Sequence, residues 1–288
     1  MDLVTSLDNK WVKLFRRALR GAGPEGDEPI GVEGPRLVEE ALLSGLQPEA
    51  LLLSESTEER ATEILRESSR GGRDGARLRI LRTTDKIFRG VAGTETPQGV
   101  AALFRQPVWT LEDVLRGPGA MRSSAALVIV LVGVQDPGNV GTAIRSAEAF
   151  GATGAVATRG TTDPWSGKAV RASAGSALRL PLLRGMAPPV LLAQLRMARI
   201  RIFAAMPEPA GERSAAGHVL AQSDMREPTA VLVGSEGAGL GSEVAHAADA
   251  CITIPTRGAV ESLNAGVAAS IALYEAARQR EFALCERA

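Results

Sequence analysis

The chain has 288 residues and a formal net charge of zero, with 45% hydrophobic and 23% charged residues. These values are typical of a globular protein that buries a core, and the zero net charge excludes a globally basic surface. Any nucleic acid would therefore have to be bound by local basic patches.

The few cysteines and histidines exclude two further classes of site. Cys251 and Cys285, with two histidines, give neither a disulfide framework nor the spacing of a zinc site, so we expect no metal. No apolar run reaches the roughly 18 residues of a membrane span, and the N-terminus lacks a signal-peptide core. We expect a cytoplasmic protein that does not bind membranes.

Short alternating elements in residues 1–106 predict a small α/β domain. Helices are predicted over SLDNKWVKLFRRAL and GPRLVEEALLSG, where apolar residues recur at helical spacing. EALLLSES and RLRILRTT are predicted strands, and GGRDG is a predicted turn. The segment TDKIFRGVAGTETPQGVAALF adds a helix, a glycine-rich loop and a last strand.

After a predicted linker at residues 107–125, residues 126–288 show the pattern of a larger α/β domain. The apolar runs ALVIVLVGV, TAVLVG and ACITIP are typical of strands buried on both faces of a parallel sheet. Helical segments lie between them, which predicts an α/β fold with a mainly parallel sheet. Ligands bind such sheets at the carboxyl ends of the strands, where polar loops follow all three runs.

These three loops contain the polar residues that core packing does not explain. GVQDPGNVG and GSEGAGLG have neither the P-loop ending nor the G-x-G-x-x-G fingerprint, so their glycines suggest close approach of the backbone to another ligand. Asn139 and Ser262 are the predicted N-caps of the two helices that follow the first and third loops. Arg145 is either a surface residue paired with Glu148 or a contact to an anion or hydroxyl.

Each of these helices has a predicted apolar face. For the first, the face comprises Val140, Ala143, Ile144, Ala147 and Phe150. For the last, it comprises Leu263, Val267, Ile271 and Tyr274.

Three segments in order, DPGNVGTAIRSAEAFGA, LVGSEGAGL and IPTRGAVESLNAGVAASIALYEA, resemble the signature motifs of the SpoU (TrmH-type) branch of the SPOUT RNA methyltransferases. KAVRASAGSALRLPL fits between the first two, and the resemblance covers roughly residues 126–280. It implies a SPOUT-type, mainly parallel sheet with a C-terminal trefoil knot, and a homodimer with its active site at the subunit interface. The implied cofactor is S-adenosylmethionine. The first part is similar to the ribosomal-protein-like RNA-binding domains of this branch.

The resemblance also implies the site residues. Arg145 would activate or orient a ribose 2′-hydroxyl. Because a guanidinium is a reluctant base, it could instead bind the adjacent phosphate and stabilise the forming alkoxide. The implied catalytic set is Arg145, Asn139, Glu236, Ser262 and Asn264. The implied cofactor contacts are Leu232, Val233, Gly234, Glu236, Gly237, Ile252, Ile254, Ser262, Leu263 and Asn264.

Local basic residues are the predicted means of holding RNA. Each of them is also compatible with an ordinary solvated surface. The predicted RNA-binding residues are Lys10, Lys13, Arg16, Arg17, Lys86, Arg89, Lys168 and Arg171.

These features together predict an S-adenosylmethionine-dependent methyltransferase that acts on a ribose 2′-hydroxyl of RNA. Ribosomal RNA is favoured over transfer RNA because the N-terminal domain is long. The alternatives are a transfer RNA 2′-O-methyltransferase, a SPOUT enzyme acting on a base nitrogen, and a non-catalytic RNA-binding protein on the same scaffold. The presence of Asn139, Arg145 and Ser262-Leu263-Asn264 argues against the last two.

Overall fold

A computed structural model of the chain describes residues 2–57, 78–118, 125–207, 217–257 and 262–285. The chain forms two compact units, one of Met1–Val108 with Asp163–Arg179 and one of Trp109–Thr162 with Leu180–Ala288. The predicted turn GGRDG and part of the predicted linker, residues 119–124, lie outside the described residues. In the part that is described, no helix has both the length and the apolar character needed to cross a membrane.

The described elements alternate along the chain. The helices are α1 Lys10–Arg20, α2 Pro35–Leu43, α3 Asp85–Val91, α4 Leu111–Arg116, α5 Pro137–Ala149, α6 Gly167–Ala172, α7 Ser176–Arg179, α8 Pro188–Met197, α9 Ser242–His246 and α10 Ala265–Cys285. The strands are β1 Asp2–Val4, β2 Ile30–Glu33, β3 Pro48–Ser54, β4 Arg79–Thr83, β5 Val100–Phe104, β6 Leu127–Val132, β7 Gly154–Thr158, β8 Leu182–Met186, β9 Arg201–Ala205, β10 Gly217–Val219, β11 Thr229–Gly234 and β12 Ala250–Thr253. Single 3-10 turns lie at Glu55–Thr57 and Leu220–Gln222.

The first unit is built on a mixed sheet. Its described strands have the order β1-β4-β3-β5-β2, in which β5 is antiparallel to both of its neighbours. Helix α1 begins where the Asn9 side chain accepts a hydrogen bond from the Trp11 amide at 2.9 Å. Its apolar face, Val12, Phe15 and Leu19, is buried because these residues recur at helical spacing. The elements predicted for the described part of residues 1–106 are confirmed.

The second unit contains the predicted parallel sheet. Its described strands have the order β10-β12-β9-β11-β6-β7-β8, and every pairing between neighbours is parallel. The apolar runs of β6 and β11 are almost fully buried, as expected for central strands covered on both faces. The predicted α/β class with a mainly parallel sheet is confirmed.

Part of the predicted linker is helical. Residues 111–116 form α4, which begins with a reciprocal capping box between Thr110 and Asp113. Val114 of this helix is fully buried in the core of the second unit. The Thr110–Asp113 spacing is the sequence signal for this helix. The glycines and proline that follow it, in the segment RGPG, led to the prediction of a linker.

The predicted apolar face of α5 is confirmed for Val140, Ala143, Ile144 and Ala147, while Phe150 is half-buried. The predicted cap was wrong. Helix α5 begins at Pro137, and the Asp136 carboxylate accepts a hydrogen bond from the Gly138 amide at 2.8 Å. Proline suits the first helical position, so the cap lies three residues before Asn139.

The predicted cap of α10 was also wrong, and its predicted apolar stripe was wrong at Val267 and Tyr274, while Leu263 and Ile271 are half-buried. Asn264, and not Ser262, caps the helix, since its side-chain oxygen accepts a hydrogen bond from the Val267 amide at 3.2 Å. The exposed fractions of Val267 and Tyr274 are 44% and 53%. The buried face consists instead of small residues and one leucine: Ala265, Ala269, Ala272, Leu273, Ala276 and Ala277.

Small residues face inward because α10 packs closely on α5. A Cβ atom added at Gly266 would lie 3.1 Å from the Cβ of Thr142. One turn further on, the hydroxyls of Ser146 and Ser270 are 2.6 Å apart. Larger side chains could not fit where the two backbones are this close, and Val267 and Tyr274 lie on the outer surface of α10.

Candidate active site

A cavity of about 570 Å³ lies at the carboxyl ends of β9, β11 and β12, which are adjacent in the sheet of the second unit. This is the position that ligands occupy in parallel α/β sheets, and the volume is in the range of small-molecule sites. The segments that line it are residues 205–207 at the end of β9, residues 233–242 from the end of β11 onward, and Ile252, Ile254, Thr256, Ser262, Leu263, Ala265 and Ala268.

The loop after β11 forms one wall of the cavity by folding back on itself. The Gly239 amide donates to the Ser235 carbonyl at 2.9 Å, and the Ser235 amide donates to the Gly239 carbonyl at 3.2 Å. A Cβ atom added at Gly234 would lie only 2.2 Å from the carbonyl carbon of Gly239. The tight turn therefore requires glycine at position 234, at the end of the strand.

The cavity contains most of the predicted cofactor contacts. Its lining includes Val233, Gly234, Glu236, Gly237, Ile252, Ile254, Ser262 and Leu263. Two predicted contacts are not in the lining. Leu232 is fully buried in the core of the sheet, and Asn264 caps α10.

The prediction missed the wall that follows β9. Ala205, Met206 and Pro207 line the cavity because β9 lies between β11 and β12 in the sheet. A strand pattern in RIRIFAA followed by proline was the available signal. Its place between the two motif-bearing strands could not be deduced from that pattern.

Glu236 is the only charged residue in the described lining of the cavity. The rest of the wall consists of aliphatic side chains, hydroxyls and backbone groups. Such a lining suits an apolar ligand body with a few hydrogen-bonding groups, and the carboxylate favours a ligand that carries a positive charge.

A side-chain hydrogen bond joins two of the predicted loops at the cavity. The Nδ2 of Asn139 donates to the Oε1 of Glu236. Asn139 is 8% exposed and lies in the first turn of α5, whereas Glu236 is exposed and lines the cavity. The bond fixes one carboxylate oxygen and leaves the other able to accept a hydrogen bond from a ligand.

Arg145 lies on the same helix but not in the wall of the cavity. Its side chain is exposed, and it stands three residues after Thr142, which contacts the start of α10 at Gly266. Residues three apart are neighbours on a helix surface. The structure thus brings Glu236, Ser262 and Leu263 to the cavity. Asn139 is joined to it through its bond to Glu236, while Arg145 faces solvent beside the α5–α10 contact.

Basic residues of α1 have partners inside the first unit. Lys13 pairs with Asp8 at 3.0 Å and Arg17 with Glu28 at 2.6 Å, while the Nε of Arg16 donates to a backbone carbonyl at 3.1 Å. Lys10 and Lys86 are exposed. The other three predicted RNA-binding residues, Arg89, Lys168 and Arg171, line one cavity of this unit.

Two family models match the chain. Residues 126–274, just over half of the chain, match the SpoU rRNA methylase family. Residues 24–102 match the MRM3-like substrate binding domain.

Known proteins are similar along almost the whole chain. The 23S rRNA (guanosine(2553)-2′-O)-methyltransferase RlmP of Bacillus subtilis is 33% identical over 95% of this chain and 98% of its own length. The 23S rRNA (guanosine-2′-O-)-methyltransferase RlmB of Xanthomonas campestris pv. campestris is 33% identical over 81% of this chain and 88% of its own. The AdoMet-bound rRNA methyltransferase of Sinorhizobium meliloti superposes with a TM-score of 0.79 at 29% identity, covering 96% of this chain and 97% of that one.

These matches agree with the three motif segments and with the parallel sheet. They confirm the resemblance found in the sequence and the SPOUT-type fold that it implies. The chain belongs to the SpoU rRNA methylase family.

Proposed function

We propose that this protein is an S-adenosylmethionine-dependent methyltransferase that acts on a ribose 2′-hydroxyl of ribosomal RNA. The observation that carries the proposal is the Asn139–Glu236 hydrogen bond, which joins two motif loops beside a cavity of about 570 Å³. Relatives named as rRNA 2′-O-methyltransferases, and a similar structure with bound AdoMet, support the reaction and the cofactor.

The lining of the cavity fits this cofactor. Ile252, Ile254 and Leu263 offer apolar surface for an adenosine, and the carboxylate of Glu236 complements a sulfonium charge. A Cβ atom added at Gly237 would meet no protein atom within 4 Å, so this part of the wall is open to a ligand. When bound, S-adenosylmethionine would supply a methyl group on a positively charged sulfur, whose carbon a nucleophilic oxygen can attack with the sulfur leaving as a neutral thioether.

The residues of the chain must orient the ribose hydroxyl and help remove its proton, because a neutral hydroxyl is a weak nucleophile. In the proposal, Asn139 holds Glu236, whose free carboxylate oxygen accepts a hydrogen bond. Ser262 and Asn264 flank the reacting position, and Arg145 activates or orients the 2′-hydroxyl. Alignment of the reacting groups can supply several kcal/mol, about 7–11 at most.

The proposal includes a homodimer with the active site at the subunit interface. Its support is the exposed apolar stripe of α10, formed by Val267 and Tyr274 at a spacing of seven residues. Phe150 of α5 extends this surface, with its ring centroid 5.7 Å from that of Tyr274. A partner covering the stripe would bring a second chain close to Arg145.

We also propose the C-terminal trefoil knot and a cytoplasmic location. The knot is supported by the chain path. Helix α10 follows β12 but packs on α5, the helix after β6, and β9 and β11 lie between these two strands. The cytoplasmic location follows from the proposed ribosomal RNA substrate.

Arg145→Ala provides the test. We expect single-turnover methyl transfer to a 23S ribosomal RNA transcript to fall at least about 100-fold, the scale of a lost charge-stabilising or acid–base group. Arg145→Lys should restore little activity, because a point charge cannot make a bidentate contact. Cofactor affinity, measured by calorimetry, should be unchanged because Arg145 does not line the cavity.

Arg116→Ala is the matched control, since Arg116 is an exposed helical arginine of the same unit. It should keep full activity. Near-normal turnover by Arg145→Ala would remove Arg145 from the catalytic set. Failure of the unaltered protein to bind S-adenosylmethionine would refute the proposed function itself.

A further inference from the structure

A second cavity of about 570 Å³ lies within the first unit, and its described lining contains no residue of the three motif loops. Its walls come from the end of α1, the end of α3 with the loop that follows, and α6. Leu19, Ala92 and Pro97 give it an apolar part. Four cationic side chains line the rest: Arg20, Arg89, Lys168 and Arg171.

The arginines of this cavity are held in place and still have donors available. Arg20 donates from Nε to the Ala92 carbonyl at 2.6 Å and from Nη2 to the Arg89 carbonyl at 3.1 Å. Arg171 donates from Nη2 to the Gly93 carbonyl at 3.4 Å. A guanidinium has five N–H groups, and these described bonds occupy at most two on each arginine. The remaining donors can bind an oxyanion.

A buried carboxylate fixes the loop that forms one wall. Glu33 is 6% exposed and accepts hydrogen bonds from the Gly93 amide at 2.6 Å and from the Thr94 hydroxyl. These bonds use both carboxylate oxygens and hold the loop between α3 and β5. The cationic groups are therefore arranged around a fixed backbone before any ligand binds, which lowers the entropic cost of binding.

The cavity carries a net positive charge in a protein whose total charge is zero. Glu95 is the one acidic residue in its described lining, and Glu33 lies behind the wall. Four cations against these two carboxylates leave a net charge of +2. The chain thus places a local excess of positive charge here, although its 33 basic and 33 acidic residues balance overall.

We propose that this cavity is a binding subsite for a backbone phosphate of the RNA substrate. The inference rests on the proposed function and extends it, because it names the group that the first unit recognises. Arginine forks match the geometry of phosphate oxygens, and phosphate contacts hold a nucleic acid in position without reading its sequence. The apolar part beside the cations leaves space for the attached sugar or base.

Two arginine variants of the first unit give the sharpest test. Arg89 and Arg36 both have exposed side chains, but only Arg89 is in the described lining of the cavity. Arg89→Ala should weaken binding of a 23S ribosomal RNA transcript about tenfold, the value of one charge-assisted contact. The slope of log affinity against log salt should fall by roughly 0.7–0.9. Arg36→Ala should change neither value.

Glu95→Gln gives a prediction of the opposite sign. Removing the negative charge of Glu95, the one acidic residue among the described residues of the lining, should strengthen RNA binding roughly twofold, the scale of an exposed charge interaction. Thermal unfolding of each variant checks that the fold is kept. S-adenosylmethionine affinity should be the same in all variants, because the second cavity shares no residue with the first.

The outcomes separate the subsite from the proposed function. If the unaltered protein binds and methylates RNA but Arg89→Ala and Arg36→Ala have equal RNA affinity, the subsite proposal is wrong. The alternative is that the cavity binds a free phosphate ion and not a phosphate of RNA. Calorimetric titration with inorganic phosphate tests this alternative. Tight phosphate binding that Arg89→Ala abolishes, with unchanged RNA affinity, would also overturn the proposal. If the unaltered protein transfers no methyl group to RNA, the proposed function itself is refuted.

Discussion

Gly234→Ala tests whether the tight loop after β11 forms the cofactor site. The backbone of Gly234 is not among the positive-φ glycines, so alanine is allowed by its dihedral angles. The obstacle is steric. The new Cβ would lie 2.2 Å from the Gly239 carbonyl carbon, 2.3 Å from its oxygen and 2.5 Å from the Leu240 nitrogen.

All three neighbours are backbone atoms, so no side chain can rotate away. Ordinary carbon contacts begin near 3.4 Å, so the turn would have to move by about 1.2 Å from its present 2.2 Å separation. Overpacking of this kind costs typically about 1–3 kcal/mol. The midpoint of thermal unfolding should fall by roughly 2–4 °C for each kcal/mol.

The displaced turn is a wall of the cavity, so cofactor binding should weaken as well. We expect S-adenosylmethionine affinity, measured by calorimetry below the unfolding transition, to fall at least about tenfold for a loss of 1.4 kcal/mol or more. Gly237→Ala is the control for stability, since its Cβ would meet no protein atom within 4 Å, and its thermal midpoint should not change. A Gly234→Ala protein with normal stability and normal affinity would refute the packing argument.

Two other predictions concern α10. Arg280→Met should lower the free energy of unfolding by about 4 kcal/mol, as measured by urea denaturation. The guanidinium donates four hydrogen bonds, each worth about 1 kcal/mol, to the carbonyls of Ala125, Ala126, Met225 and Glu227. A loss under 1 kcal/mol would contradict this prediction. Tyr274→Asp should convert the proposed homodimer to monomers, because it places a charge in an apolar stripe. Sedimentation velocity measures this, and a variant that is still dimeric would exclude the stripe from the interface.

The sequence alone determined the fold class, the family and most of the residues that line the cavity at the carboxyl ends of β9, β11 and β12. LVIVLV and TAVLVG are long enough and apolar enough to be recognised as strands buried on both faces. This recognition does not require knowing which strands lie beside them in the sheet. The motif glycines marked the loop whose backbone approaches itself within contact distance at Gly234. These signals act over a few residues, so a single sequence can carry them.

The tertiary structure decided which elements are neighbours and which face of a helix is buried. β9 lies between β11 and β12, which adds Met206 and Pro207 to the cavity. Helix α10 buries alanines against α5 and exposes Val267 and Tyr274, the reverse of what hydrophobicity predicts. Hydrophobic periodicity predicts which face of a helix is apolar enough to be buried. The distance between two helix backbones decides which side chains fit between them. That distance is set by residues such as Thr142 and Gly266, which are 124 positions apart in the chain and meet only in the folded protein.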